Sequence, residues 1–147
     1  MTKKPAILFL CTGNSARSQI AEAFARYYGG DALTLQSAGT HPVGVHPNTI
    51  WAMNEVGLDI SHHTSDALSS KTLEEFDFVV TLCGEALESC PVLPPTTRHE
   101  HWSLPDPAKV RGSASESMKS FRVIRCRIEH QVKDLLQRIM AEPAPPG

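Results

Sequence analysis

An eight-residue stretch near the N-terminus, CTGNSARS, combines a nucleophile with groups that bind anions. Cys11 precedes Arg17 across a polar turn that opens a helix. The amides of such a turn form an anion-binding nest, and the planar guanidinium of Arg17 can grip a tetrahedral oxyanion through two parallel hydrogen bonds. These charges also stabilise a thiolate, so we expect the pKa of Cys11 to be lowered to about 3.5–7.5. A buried structural cysteine beside a turn is the alternative.

The residues after Cys11 are the candidates for oxyanion binding. We assign this role to Thr12, Gly13, Asn14, Ser15, Ala16, Arg17 and Ser18. The hydroxyl of Ser18 can in addition donate a hydrogen bond to the Cys11 thiolate. A serine in the first turn of a helix, with no such role, is the plain alternative.

Two further cysteines, Cys83 and Cys90, are separated by one short segment, and Pro91 follows the second. If residues 84–89 form a helix, Cys83 lies at its N-terminal end, where the dipole favours a thiolate. Seven helical residues separate two Cα atoms by about 10.5 Å, whereas a disulfide needs roughly 4.4–6.8 Å. A disulfide between the two therefore requires the segment to unwind. Two unrelated buried cysteines are the alternative.

The elements that position these residues alternate between strand and helix. Apolar runs predict strands at residues 6–10, 33–37, 78–82 and 97–102, and apolar periodicity predicts helices from the CTGNSARS motif to Gly29, at 48–56 and at 118–140. This alternation indicates an α/β doubly wound domain, a four-stranded parallel sheet with helices on both faces. Ligands bind beyond the carboxyl ends of such strands, so Cys11 and Cys83 are predicted to share one edge of the sheet.

Length and composition indicate one ordinary globular domain. The chain has 147 residues, 41% hydrophobic and 20% charged, and we expect a single domain with a frayed tail at residues 143–147. A net charge of −2 and a pI near 6.4 give no basic surface for nucleic acid or an anionic membrane. No apolar run approaches the roughly 18 residues of a spanning helix, so we expect a cytoplasmic protein, whose cysteines are not permanent disulfides.

Several short motifs resemble those of one family, the thioredoxin-coupled arsenate reductases of the low-molecular-weight tyrosine phosphatase fold. The resemblance runs from about Lys4 to the end of the last helix. The motifs that carry it are CTGNSARSQ at 11–19, SAGT at 37–40, VVTLC at 79–83, Cys90-Pro91, EHW at 100–102 and Asp106-Pro107.

The resemblance implies a thiol relay that reduces arsenate to arsenite. Cys11 attacks arsenate, and Asp106 is the general acid for the departing oxygen. Cys83 then attacks Cys11, which releases arsenite, and Cys90 attacks Cys83 to form a disulfide that thioredoxin reduces. The electrons come from thioredoxin, with no bound organic cofactor. We expect a monomer, with phosphate and sulfate as competing oxyanions.

A low-molecular-weight protein phosphatase, which hydrolyses phosphate monoesters through a Cys11 phosphocysteine, is the second interpretation. Those enzymes usually have Tyr where this chain has Ala108, and often a second Cys where it has Ala16. Both differences favour the reductase. A non-catalytic oxyanion-binding or redox-sensing module is the third interpretation.

Other polar residues carry weaker signals. His99 and His101 alternate on one predicted strand, but no third ligand accompanies them, so we predict no metal site. Cys126 falls off the apolar stripe of the last helix, and we interpret it as a bystander. Four oxygen-bearing side chains resemble the potassium ligands of some family members, with a hydrogen-bond network as the open alternative: Asn14, Glu22, Ser37 and Asp66.

Overall fold

Four strands and three α-helices make up the computed structural model, which describes residues 4–71, 73–83, 92–109 and 112–141. In chain order they are β1 (Ala6–Cys11), α1 (Arg17–Gly29), β2 (Thr34–Gly39), α2 (Pro47–Asn54), β3 (Phe78–Thr81), β4 (Arg98–His101) and α3 (Ala114–Ala141). Short 3-10 turns join several of them, including Pro107–Lys109. None of the helices in these ranges is long and apolar enough to cross a membrane.

The four strands form one parallel sheet in the order β2-β1-β3-β4, which confirms the predicted fold class. Every residue of the central strand β1 is buried. From β1 the chain moves to one side for β2 and then back across β1 for β3. The last helix, α3, packs against both α1 and α2.

Element boundaries differ from the predicted ones by a few residues. The last helix begins at Ala114 rather than 118, because Ser113 caps it by accepting a hydrogen bond of 3.2 Å from the Glu116 amide. Its first turn has no apolar periodicity to reveal it. The second helix ends at Asn54 rather than 56, and Gly57 turns the chain away with a φ of 80°.

The carboxyl ends of β1 and β3 place Cys11 and Cys83 at the same edge of the sheet. Cys11 is the last residue of β1, and Cys83 follows β3. The predicted common edge is thus confirmed. The predicted helix at 84–89, Cys90 and the predicted tail at 143–147 lie outside the described residues.

Candidate active site

The backbone of the nest loop, residues 11–16, is held from outside by hydrogen bonds to its carbonyl oxygens. A strap formed by residues 40–46 supplies part of them: the amides of Thr40, His41, Val43 and His46 lie 3.1, 2.8, 3.0 and 3.0 Å from the carbonyl oxygens of Cys11, Thr12, Gly13 and Ser15. Ser65 Oγ lies 2.8 Å from the carbonyl oxygen of Gly13 and 2.9 Å from that of Asn14, and these two oxygens share its single proton. The Ala16 carbonyl accepts from the Ile20 amide at 2.9 Å, inside the first turn of α1.

With the carbonyls turned outward, the loop amides are left for a ligand. Within the described part of the chain, the amides of residues 13–17 donate to no protein group, and α1 begins without a side-chain cap. Asn14 has a φ of 47°, the left-handed residue that curls successive amides into a nest. Gly39 allows the close approach of β2, because a Cβ there would lie 2.6 Å from the Thr12 carbonyl oxygen. The loop therefore has the geometry of an anion site.

Arg17 lies at the start of α1 and connects the nest to the acid loop, residues 103–109. Its Nη1 donates to the Leu104 carbonyl at 2.9 Å, and its Nη2 lies 3.7 Å from Asp106 Oδ2. The Arg17 side chain is buried, and its Nε has no partner among the described residues. An unpartnered guanidinium N–H is a donor that a bound oxyanion can use.

The structure places Asp106, the predicted general acid, beside Arg17. Its Oδ1 accepts a hydrogen bond of 2.9 Å from the Ala108 amide, which fixes the carboxyl group in a tight turn between Pro105 and Pro107. Its Oδ2 is the oxygen that faces Arg17. The side chain is one-quarter exposed, so a proton on Oδ2 can reach an anion held by Arg17.

The two cysteines at the sheet edge are in contact. Cys11 and Cys83 are both buried, and their side chains are hydrogen-bonded to each other. Thr12 Oγ1 lies 3.0 Å from Cys83 Sγ, so a residue of the nest loop also fixes the position of the second sulfur. The arrangement places a second thiol where it can attack the sulfur of the first.

The expectation of a lowered pKa at Cys11 is wrong for this arrangement. The hydrogen bond with Cys83 and then burial raise the pKa of Cys11, and together they outweigh Ser18 and Arg17, which lower it. The sequence prediction considered the cations and dipoles of the loop but not the neighbouring thiol. The contact with Cys83 and the burial of Cys11 therefore both favour the protonated form of the Cys11 thiol.

The four side chains that resemble potassium ligands are close together and already hydrogen-bonded or ion-paired. Ser37 Oγ donates to Asn14 Oδ1 at 3.1 Å, Glu22 pairs with Arg26 at 2.8 Å, and Asp66 pairs with Lys71 at 3.0 Å. Burial alone would raise the pKa of Asp66, but hydrogen bonds from Lys71 and Thr64 lower it. Glu22, Ser37 and Asp66 line a cleft of about 430 Å³. The described contacts form a hydrogen-bond network in which the side chains of Arg26 and Lys71 supply the positive charges.

His99 and His101 lie on the same face of β4, and one ring nitrogen of each lies within hydrogen-bond distance of the same hydroxyl group. Thr81 Oγ1 lies 3.0 Å from His99 Nε2 and 2.8 Å from His101 Nδ1. Burial lowers the pKa of His99, followed by the charge of His101. Cys126 is exposed on α3, away from the nest.

Sequence reasoning missed several residues that hold the nest. Ser65 and Thr49 donate to its carbonyls, the latter to Ser15 at 2.8 Å, and Gln19 is fully buried behind Asn14. Gln19 falls inside the CTGNSARSQ motif, so its position was available as a signal. Ser65 and Thr49 lie dozens of residues from the loop and follow no local pattern.

Comparisons with known proteins agree with this geometry. Residues 6–144 match the family described as low molecular weight phosphotyrosine protein phosphatase, and the chain belongs to that family. It is 46% identical over 131 residues to an arsenate reductase of Bacillus subtilis, covering 89% of this chain and 94% of that protein.

Solved structures of arsenate reductases also superpose on this chain. An arsenate reductase in a phosphate-binding state superposes with a TM-score of 0.77 at 35% identity, over 92% of this chain and 98% of the other. A thioredoxin-dependent arsenate reductase of Corynebacterium glutamicum gives a TM-score of 0.77 at 27% identity, over 95% of this chain and 63% of the other.

Proposed function

We propose that this protein reduces arsenate to arsenite through a thiol relay of Cys11, Cys83 and Cys90 that thioredoxin regenerates. The observation that carries the proposal is the position of the Cys83 thiol, which acts on Cys11 directly and lies 3.0 Å from Thr12 Oγ1 of the nest loop. Hydrolysis of a phosphate ester needs only the first of these thiols. A second thiol in contact with the nucleophile supports a reaction that ends in a disulfide.

The first step joins arsenate to Cys11. The amides of residues 12–17 and the guanidinium of Arg17 hold the oxyanion, and the Cys11 sulfur attacks arsenic. The Cys11 thiol gives its proton to the arsenate dianion. This transfer yields a Cys11 thiolate and an arsenate monoanion, and the total number of protons in the site does not change. Asp106 protonates the departing oxygen, which leaves as water, and a sulfur–arsenic bond remains.

The second step is the redox step. The Cys83 thiol passes its proton to an arsenic-bound oxygen and attacks the Cys11 sulfur, the sulfur–arsenic bond breaks, and its electron pair stays on arsenic. Arsenic(V) becomes arsenic(III) and leaves as arsenite, while the two thiols become a Cys11–Cys83 disulfide. Thr12 Oγ1, at 3.0 Å from Cys83 Sγ, holds the attacking sulfur beside the nest.

The last steps return the electrons. Cys90 attacks Cys83, which frees Cys11 as a thiol and leaves a Cys83–Cys90 disulfide, and the dithiol of thioredoxin reduces that bond. One chain supplies all three thiols, so a monomer suffices. Thiols that must start reduced suit the cytoplasm, and we place the protein there.

Arsenite release in the presence of thioredoxin, thioredoxin reductase and NADPH tests the proposal. We expect Cys83→Ser and Cys90→Ser each to lose thioredoxin-coupled turnover, because each removes a thiol of the relay. Both variants should keep whatever aryl-phosphate hydrolysis the wild type has, since that reaction needs only Cys11. Cys126→Ser, which removes an exposed thiol, is the matched control and should turn over normally.

Two outcomes would contradict the relay. If Cys90→Ser reduced arsenate with thioredoxin at the wild-type rate, Cys90 would be structural. If the wild type hydrolysed aryl phosphates steadily and released no arsenite, the protein would be a phosphatase. Failure of both reactions, with oxyanion binding intact, would point to a non-catalytic module.

A further inference from the structure

One oxygen atom behind the nest accepts more hydrogen bonds than a carbonyl oxygen has lone pairs. The fully buried Asn14 Oδ1 lies 2.7 Å from Gln19 Nε2, 3.1 Å from Ser37 Oγ and 3.2 Å from Ser18 Oγ, and each of these groups donates to it. An amide oxygen offers two lone pairs. One of the three donors is therefore in surplus.

Ser18 is the most weakly held of the three donors, and its alternative acceptor is the Cys11 sulfur. Its hydrogen bond to Asn14 is the longest of the three, and its hydroxyl also contacts Cys11, where it lowers the pKa of the thiol. A hydroxyl has a single proton, so it donates either to Asn14 or to a Cys11 thiolate. How strongly the other donors bind Asn14 decides how readily Ser18 turns toward sulfur.

Gln19 is fixed so that it donates to Asn14. Its Nε2 also lies 3.1 Å from the Asn14 carbonyl oxygen and 3.0 Å from the Thr64 carbonyl oxygen, so its two N–H groups have three acceptors, of which Asn14 Oδ1 is the nearest. Its Oε1 lies 3.0 Å from His63 Nδ1. Because an amide oxygen only accepts, His63 Nδ1 carries the proton, and this bond holds the Gln19 amide in one orientation.

We propose that Gln19 is a positioning residue of the nest: together with Ser37 it occupies Asn14 Oδ1 and so releases the Ser18 hydroxyl to donate to the Cys11 thiolate. The inference rests on the proposed function only in taking Cys11 as the nucleophile. The other groups that face Cys11, the Arg17 guanidinium and the Cys83 thiol, act on it independently of Gln19.

Alkylation of individual cysteines tests this directly. The full-length reduced protein is treated with iodoacetamide at a series of pH values, and mass spectrometry of the peptides gives the rate at Cys11. We expect Gln19→Met and Ser18→Ala each to shift the midpoint of the pH profile of Cys11 alkylation upward by about one pH unit. At pH values below that midpoint, each variant should therefore react about tenfold more slowly. The double variant should be no slower than Ser18→Ala, because both changes remove the same hydrogen bond.

The controls separate positioning from folding. Alkylation of the exposed Cys126 should be the same in all variants, and Gln131→Met, a change in a partly buried glutamine of α3, should leave Cys11 unaffected. If Gln19→Met does not fold, Ser37→Ala with and without Ser18→Ala measures the same competition for Asn14 Oδ1.

Two results would overturn the inference: an unchanged Cys11 rate in Gln19→Met, or a slowing that is equally large in the Ser18→Ala background. In the Ser37→Ala arm, the same two results would overturn it. The measurement uses neither arsenate nor thioredoxin. A protein that shows the expected coupling but reduces no arsenate would therefore lose the proposed function and keep this one.

Discussion

The nest loop and the acid loop meet at Arg17 but are held in different ways. The nest loop is fixed from outside by the strap, Ser65 and Thr49, so its amides are oriented before any ligand arrives. Among the described residues, the hydrogen bond and the ion pair that join the acid loop to the start of α1 are both made by Arg17. Its other polar bonds, at Asp106, are local, and the buried side chains of Leu104 and Pro107 hold the loop by packing.

This difference matches two chemical tasks. Stabilising charge on an oxyanion requires donors that do not reorganise during the reaction. Proton transfer requires a carboxyl group within hydrogen-bond reach of one oxygen, which a loop can adjust as the ligand settles. A guanidinium shared by both regions allows the bound anion to act on the acid loop through Arg17.

The largest effect should follow from removing the nucleophile while leaving the nest intact. We expect Cys11→Ser to lower arsenate reduction by about four orders of magnitude or more, because a serine hydroxyl is scarcely ionised in this site. Phosphate binding, measured by calorimetry, should persist, since the amides and Arg17 are unchanged. Near-normal arsenate turnover in this variant would disprove the assigned chemistry.

Arg17→Lys should damage both regions at once. A lysine ammonium cannot reproduce the planar two-pronged grip or the hydrogen bond to Leu104, so we expect arsenate turnover to fall about 10²–10³-fold and phosphate to bind more weakly. Arg26→Lys, on the same helix but paired with Glu22, is the control and should retain activity. Equal activity of the two variants would show that Arg17 holds neither region.

The strands and the common position of the two cysteines could be predicted from the sequence. The long-range hydrogen bonds of the nest loop and the raised pKa of Cys11 could not. Apolar runs located β1 and β3, and parallel-sheet topology put Cys11 and Cys83 at one edge. Ser65, more than fifty residues from Gly13, bonds it only because the chain folds back, and no local pattern contains that information. The raised pKa of Cys11 has the same origin, since it depends on Cys83 in a different strand connection.

Asp106→Asn should affect only the acid loop. The amide keeps an oxygen for the Ala108 amide, so the turn survives, but it cannot donate the proton that the departing oxygen needs. We expect arsenate turnover to fall about 10²-fold, with phosphate affinity nearly unchanged. Asp59 accepts from the Ser61 amide at 2.9 Å in the same kind of turn, so Asp59→Asn is a matched control that should remain active. A full-rate Asp106→Asn enzyme would exclude Asp106 as the acid.

Ser65→Ala should have the smallest effect, because the outer bonds of the nest are redundant. The variant removes donors from Gly13 and Asn14, but the Val43 amide still reaches the first carbonyl and Gln19 the second. We expect a loss of about 1 kcal/mol in the free energy of unfolding, a drop of about 2–4 °C in Tm, and a few-fold weaker phosphate binding. Ser103→Ala, at an exposed position in the acid loop, should change neither quantity. If Ser65→Ala abolished phosphate binding while the protein stayed folded, the nest would depend on a single outer bond. The contrast between a nest held by several outer hydrogen bonds and an acid loop joined to it through Arg17 would then be wrong.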